Sequence, residues 1–176
     1  MSRPGAEPAA TDVGVTRYLL ADDGLVPNNP LLPLLLYRGA VAIGGKQPEA
    51  RIIAQLVANG WGGAWINGIY PYHHYHARAH EVLVIARGSA EVQLGGPGGP
   101  VLSLAAGDAV LIPAGVGHCR KASSADLSVV GAYPEGQTEW DLKRATAANH
   151  ALALTEIPHV ALPTSDPIRG AGPPWP

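Results

Sequence analysis

Residues 68–88 read GIYPYHHYHARAHEVLVIARG and hold a dense group of histidines. Four histidines fall within eight positions: His73, His74, His76 and His80. Because side chains alternate between the two faces of a β-strand, we expect His74 and His76 to point the same way, roughly 7 Å apart along the strand. Two imidazoles on one face can bind one ion, and Glu81 follows where a turn can add a carboxylate. The stretch therefore predicts a metal site built on β-structure.

A second stretch, residues 107–118, reads GDAVLIPAGVGH and predicts a strand that ends in a tight turn. His118 follows that turn and can return a fourth ligand from a distant part of the chain. Three imidazoles and one carboxylate suit iron, manganese, nickel, cobalt or zinc better than calcium or magnesium. The pattern leaves the identity of this divalent transition metal open.

The two stretches together resemble the two motifs of the cupin superfamily. The first follows Gly68-x5-His74-x-His76-x4-Glu81-x6-Gly88, and the second follows Gly107-x5-Pro113-x-Gly115-x2-His118. The second departs from the family at Ala122, where its motif usually ends in Asn, a residue that is not a metal ligand there. The resemblance implies a jelly-roll barrel, the double-stranded β-helix, in which four residues converge on one metal: His74, His76, Glu81 and His118.

The wording around these motifs is similar to the bacterial YjlB-type cupins from about Gly24 to Asp141. The segments that carry this closer likeness are 27–30, 65–70, 73–76, 79–83 and 131–134. The likeness sharpens the expected fold and ligand set, and it leaves the substrate open.

The rest of the chain is typical of an all-β protein. Glycine (22 residues) and proline (17 residues) recur between short apolar runs, as turn residues do. Six strands are predicted, at 64–69, 81–87, 89–94, 101–104, 109–112 and 127–133. Apolar residues at helical spacing predict one short helix over 48–59, and residues 34–37 are expected to form an edge or swapped strand. The fold class is therefore all-β, with one or two short helices and an extended C-terminal tail.

We expect one cupin domain over residues 24–141, including an N-terminal extension. Residues 1–23 lack periodicity and predict a flexible N-terminal arm. Residues 142–176 predict a Pro-rich C-terminal tail that lies on the surface or on a second subunit.

Composition excludes several classes of partner. Only 15% of residues are charged and the net charge is −2, so no basic stripe is available for nucleic acid. No apolar run approaches the roughly 20 residues of a membrane span. The single cysteine, Cys119, and the absence of a leader pattern after Met1 favour the cytoplasm. The strand over 81–87 is apolar on both faces, so a homodimer or the N-terminal segment is expected to cover its outside.

Other polar residues near the motifs have plainer interpretations. By strand parity His73 and His80 point away from the ligands, which favours supporting or surface roles. Cys119 is expected to be a buried small side chain outside the site. Tyr70, Tyr72, Tyr75 and Tyr133 either line the pocket or pack at its mouth.

The predicted site permits more than one function. A metal with four protein ligands keeps open positions for a small oxygen-rich molecule, which suits a dioxygenase, an isomerase or a lyase. A non-catalytic module that binds or senses a small molecule through the metal is the alternative, and a metal that only holds the barrel closed is a third. No general acid or base is fixed by the motifs.

Overall fold

The computed structural model describes residues 9–12 and 14–176, with side chains from residue 14 onward. Its strands are β1 (Ala9–Asp12), β2 (Val15–Tyr18), β3 (Leu34–Tyr37), β4 (Trp61–Asn67), β5 (His74–Tyr75), β6 (Glu81–Arg87), β7 (Ser89–Leu94), β8 (Val101–Ala105), β9 (Ala109–Ile112), β10 (His118–Ser123), β11 (Ser128–Pro134) and β12 (Lys143–Arg144). Its helices are α1 (Pro48–Ala58), α2 (Ala147–Glu156) and a short 3-10 helix (Ile157–His159).

The strands form two antiparallel sheets. One sheet has the order β1-β2-β3-β9-β6-β11-β4, and the other has the order β12-β5-β10-β7-β8. Two sheets with these crossovers and few helices confirm the predicted all-β jelly roll. Strands β6, β7 and β9 have the predicted bounds, because apolar runs between turn residues mark both of their ends.

Successive side chains of β6 point to opposite faces of its sheet and so belong to two layers of the core. Leu83 and Ile85 point between the sheets, where they pack with Val92 of β7. Val82 and Val84 point to the other face of the seven-stranded sheet. Because Glu81 has the parity of Leu83 and Ile85, its carboxylate also points between the sheets. The strand pattern therefore places a buried acid inside the sandwich.

The outer layer is covered by this chain itself. Helix α1 begins at Pro48, as proline favours, and buries Ile52 and Leu56 against the seven-stranded sheet. Trp175 near the C-terminus packs into the same layer with Val15 of β2. The expected cover by the N-terminal segment is thus partial, and α1 and the C-terminal segment supply the rest.

Two segments differ from the expectations for them. Strand β3 pairs with both β2 and β9, so the prediction of an edge or swapped strand is wrong: its apolar sequence fits an interior position. Strands β1 and β2 form within the predicted loose arm, of which residues 1–8 and 13 lie outside the described residues. The boundaries at 24 and 141 stay a prediction.

The C-terminal segment packs on its own chain through buried polar contacts. Tyr37 donates its hydroxyl hydrogen to Asp166 Oδ2 at 2.7 Å, and the Trp175 indole donates to the carbonyl of Pro33 at 2.8 Å. Helix α2 precedes this segment and begins at a Thr146 cap whose side chain accepts from Asn149 N. Within the described part of the chain, no helix has the length and apolarity to cross a membrane.

Candidate metal centre

The candidate ligands come from both sheets. His74 of β5 and His118 of β10 are register partners in the five-stranded sheet. Glu81 begins β6 in the seven-stranded sheet, and His76 lies between β5 and β6. All four side chains are buried: His74 3%, His76 9%, Glu81 2% and His118 2% exposed. The sandwich thus encloses four groups that ordinarily prefer water.

Three of these residues bring their ligand atoms close together. The distance from His76 Nε2 to Glu81 Oε2 is 3.2 Å, and that from His118 Nε2 to the same oxygen is 3.4 Å. One ligand atom from each of the three lies within 4.8 Å of the others. Yet Glu81 Oε2 is buried and has no hydrogen-bond partner. A buried carboxylate oxygen left in this state fits a cation better than it fits a polar core.

Each of the three histidines is oriented by a backbone carbonyl. His74 Nδ1 lies 2.9 Å from the oxygen of Tyr72, and His118 Nδ1 lies 3.3 Å from that of Val116. His76 Nδ1 contacts the carbonyl of Asp141 in the same way. A carbonyl can only accept, so each Nδ1 carries a hydrogen, and Nε2 is the nitrogen of each ring that is left to bind a metal. This support is what metal-binding imidazoles use.

His74 stands beside the group of three. Its ring centroid is 4.1 Å from that of His118 and 6.4 Å from that of His76. Among the residues from 14 onward, the cluster with ligand atoms within 4.8 Å consists of His76, Glu81 and His118. The structure therefore brings three predicted ligands together and places the fourth against one of them.

The electrostatics of the group keep the carboxylate ionised. Burial opposes the charge of Glu81, but His76 and His118 outweigh burial and hold its pKa well below the usual range. Burial and the neighbouring His118 lower the pKa of His74 to about 3, so that imidazole is neutral at pH 7. Burial also disfavours the charged form of His76, yet the Glu81 carboxylate prevails and raises its pKa to about 9.

The turn that carries His118 is pinned to the rest of the site. Its Gly115 N donates to the carbonyl of His76 at 2.7 Å, and its Ala114 N donates to His80 Nδ1 at 2.9 Å. His80 is 1% exposed and stands outside the ligand cluster, so it supports the site through this turn. Of the two roles proposed for His80, the structure favours support over the surface.

The segment 27–30 also stabilises the turn before His118, a role that the sequence did not predict. Asn28 is 1% exposed and accepts a hydrogen bond from Gly117 N at 3.1 Å. Its amide donates to the carbonyls of Ala21 at 2.7 Å and Gly95 at 3.0 Å. Its φ of 54° lies in the left-handed region, which asparagine tolerates better than most residues. The paired asparagines between two prolines are the sequence signal that marks this segment.

With the geometry in place, comparison with known proteins gives the family. The Cupin domain family matches residues 66–130, which include all four candidate ligands. The uncharacterized protein YjlB of Bacillus subtilis (strain 168) is 42% identical over 153 residues, covering 87% of this chain and 89% of that protein. The chain is a cupin.

Solved structures resemble parts of this cupin. DMSP lyase DddQ from Ruegeria pomeroyi is 26% identical with a TM-score of 0.38, over 46% of this chain and 41% of that one. Acireductone dioxygenase from Bacillus anthracis, with cadmium in its active centre, is 19% identical with a TM-score of 0.36, over 52% and 60%. Bacillus subtilis oxalate decarboxylase OxdC, as a mutant, is 17% identical with a TM-score of 0.35, over 78% and 29%. The cupin spans less than two thirds of each of these chains.

A pocket of about 290 Å³ opens onto the candidate ligands. Its walls are mostly apolar and aromatic, and they include Trp65, Tyr133 and Trp140. The Trp65 indole donates to the Tyr133 hydroxyl at 3.1 Å, and the Tyr133 ring stacks on Trp140 at 4.7 Å. Of the two roles expected for Tyr133, lining the pocket or packing at its mouth, the structure favours the first.

Two other residues near the ligands stay outside the cluster. Cys119 is buried and free, next to His118 on the opposite parity of β10, as expected. His73 is half-buried and is not a member of this cluster. Neither contributes a ligand atom within 4.8 Å of the cluster.

Proposed function

We propose that this cupin binds one divalent transition metal through His76, Glu81 and His118, with His74 as the fourth ligand. The observation that carries the proposal is the close group of two Nε2 atoms and a buried carboxylate oxygen that accepts no hydrogen bond. His74 joins the set because its Nε2 is also left free by the Tyr72 contact and its ring lies against His118.

The donor set fits a limited group of metals. Three imidazoles and one carboxylate match iron, manganese, nickel, cobalt or zinc, whereas calcium and magnesium prefer oxygen alone. When bound, such an ion supplies Lewis-acid or redox activation of a chelated molecule. The protein's part is to hold the imidazoles through their Nδ1 hydrogens and to keep Glu81 ionised.

We further propose that the cupin is a metal-dependent enzyme for a small oxygen-rich molecule, of the dioxygenase, isomerase or lyase type. What supports this is the pocket, which gives a small molecule access to the ligand atoms and surrounds it with apolar walls that exclude bulk water. Tyr133 supports it too, because its hydroxyl accepts from the Trp65 indole and interacts with the Glu81 carboxylate at the pocket wall. A small volume favours a small substrate.

Metal analysis of the purified protein by mass spectrometry is the first test, followed by oxygen-uptake and product assays against chelating acids and diols. The proposal predicts about one metal per chain, metal-dependent turnover, and loss of both in His118→Ala. Metal binding with ligand capture but no turnover would favour the sensing module. Preparations without metal, even after reconstitution with each of the five ions, would overturn the metal site itself.

A homodimer and a cytoplasmic location belong to the same proposal. Exposed apolar side chains support self-association: Leu31 is 82% exposed, and Leu19 and Leu154 are about half exposed beside a second apolar cavity. A free, unbridged Cys119 is in keeping with a reducing compartment. Sedimentation equilibrium tests the dimer, and a single species at the monomer mass would exclude it.

A further inference from the structure

We propose that the pocket selects a ligand with a single anionic, metal-chelating group and an uncharged aromatic body. This inference rests on the proposed metal site and names the class of substrate for it. Two independent features carry it: the charge of the pocket walls, and two stacked ring pairs whose outer members line its opening.

The described pocket walls supply no cationic side chain for a second negative charge. Among the described residues that line the pocket, none is lysine or arginine, and Glu81 is the one carboxylate. A divalent ion balanced by Glu81 and neutral imidazoles leaves one positive charge, which a single anionic group neutralises. A second carboxylate or a phosphate would enter an apolar wall without a counter-ion, at a cost that burial makes large.

The cations on neighbouring elements are directed elsewhere. Arg120 donates through Nε to the carbonyl of Ile69 at 2.9 Å and through Nη1 to Ser123. Lys143 Nζ lies 3.1 Å from an oxygen of Asp141 and 3.1 Å from one of Glu156. The guanidinium of Arg144 sits over the Tyr72 ring, 3.5 Å from its centroid. A dianionic ligand would have to break one of these contacts.

Aromatic rings provide the surface for the ligand's body. Trp140 stacks on Tyr133 at 4.7 Å and 16°, and Tyr70 stacks on Tyr72 at 5.0 Å and 16°. Trp140 and Tyr70 both line the pocket and are each 46% exposed. Such half-open rings offer flat apolar faces to a planar guest.

The backbone makes room for one of these rings. A Cβ atom at Gly63, which has φ of +60°, would lie 2.3 Å from the Trp140 ring. The indole therefore rests directly on strand β4 at a residue without a side chain. This close contact restricts rotation of the exposed indole and keeps it at the pocket mouth.

Matched hydroxamates test the inference on the cobalt-loaded protein, because they share one chelating group and differ in the body. Benzohydroxamate, acetohydroxamate and 4-carboxybenzohydroxamate are titrated by calorimetry and by the visible absorption of cobalt. We expect benzohydroxamate to bind about tenfold more tightly than acetohydroxamate, as one good stacking contact allows. We also expect it to bind more tightly than 4-carboxybenzohydroxamate, because the pocket offers no counter-ion to the second anion. Trp140→Ala should bring benzohydroxamate to within about threefold of acetohydroxamate and leave acetohydroxamate unchanged.

The controls separate this inference from the metal proposal. Trp140→Phe should keep most of the preference, and Val101→Ala, on the far strand β8, should keep all of it. If acetohydroxamate or the carboxylated probe binds as tightly as benzohydroxamate, the ligand class is wrong while the metal site stands. If cobalt does not bind, or no hydroxamate perturbs its spectrum, the metal proposal fails and this inference fails with it.

Discussion

His118 Nε2 lies 3.4 Å from Glu81 Oε2, although the two residues begin strands in opposite sheets of the sandwich. This carboxylate oxygen has no hydrogen-bond partner, and burial would ordinarily favour the neutral form of Glu81. The two histidines therefore hold a charge that costs stability unless a cation joins them. A metal at this point would tie the two sheets to each other.

Metal binding is accordingly expected to stabilise the fold. At a free metal concentration one hundred times the dissociation constant, linkage gives about 2.7 kcal/mol. Thermal unfolding of the chelator-treated protein, with and without added cobalt, measures the gain as a rise in Tm. His118→Ala is the control and should show little rise. An unchanged Tm at saturating cobalt would contradict a metal that bridges the sheets.

Glu81→Gln should separate the charge of the carboxylate from its shape. Glutamine fills the same volume but lacks the negative charge that attracts the ion, so we expect metal affinity to fall at least about tenfold, in the range that losing ligand support usually costs. Calorimetric titration with cobalt measures it. Glu91→Gln, exposed on β7, should leave the affinity unchanged. Parental affinity in Glu81→Gln would remove this residue from the ligand set.

Asn28 is expected to act on the site from a distance. Asn28→Ala removes three hydrogen bonds, two of them buried, and places alanine at φ 54°, which together should cost about 2–4 kcal/mol in urea unfolding. Asn28→Gly keeps the backbone freedom and should cost less. Both should weaken cobalt binding, because the turn before His118 loses its anchor.

Asn149→Ala supplies the comparison for Asn28. This half-buried residue in α2 donates one side-chain bond to the carbonyl of Arg144, so its loss should cost below about 1 kcal/mol and leave cobalt binding intact. Equal stability and equal affinity in the Asn28 and Asn149 variants would show that the segment 27–30 is an ordinary surface turn.

Local sequence pattern predicted several strands and indicated the candidate ligands. The side chains of β6 alternate around an apolar core, and the histidine spacing repeats a family motif, so both follow from local sequence. Strand β10 was not predicted because its residues after Cys119 are mostly polar and largely exposed, and pairing with β7 is what makes them a strand. Helix α2 was missed because its apolar face is weak and buries one residue, Ala153.

The support of the site was beyond local pattern for a different reason. The contact between His80 and Ala114, and that between Asn28 and Gly117, join segments far apart in the chain. Strand parity predicts that His80 faces away from the ligands. It does not predict that His80 accepts a hydrogen bond from the turn before His118. Such contacts depend on how the two sheets pack against each other, and the spacing of residues along one strand does not predict that packing.

The C-terminal segment should contribute more to stability than its proline content indicates. Trp175 is 2% exposed, donates to the carbonyl of Pro33 and packs its ring 5.0 Å from that of His80. Trp175→Ala should therefore cost about 3–5 kcal/mol in urea unfolding. Trp140→Ala is the matched control: that indole is 46% exposed, and its loss should cost about 1 kcal/mol. Similar costs for the two would mean that the C-terminal segment is not fastened to the core.

The stability of the fold in acid should depend on the ion pair between Glu49 of α1 and Arg87 of β6. Two oxygens of Glu49 meet Arg87, at 2.7 and 3.2 Å, and Ser128 donates to the carboxylate at 2.9 Å. The hydrogen bonds from Arg87 are the main cause that lowers the pKa of Glu49 to about 2 from the ordinary 4.5. A lowered pKa in the folded state means that the stabilisation is present above about pH 4.5 and is lost as the pH falls through 2.

Glu49→Gln should consequently flatten the dependence of the unfolding free energy on pH between 5 and 2. The Arg87 side chain is 46% exposed, so solvent screening limits the effect to at most about 1 kcal/mol. Urea unfolding at a series of pH values, repeated in high salt, measures it, because screening should shrink the difference between the variant and the parent. Glu91→Gln serves as the exposed reference. Parallel curves for parent and Glu49→Gln over this interval would show that the pair contributes nothing to holding α1 against the sheet.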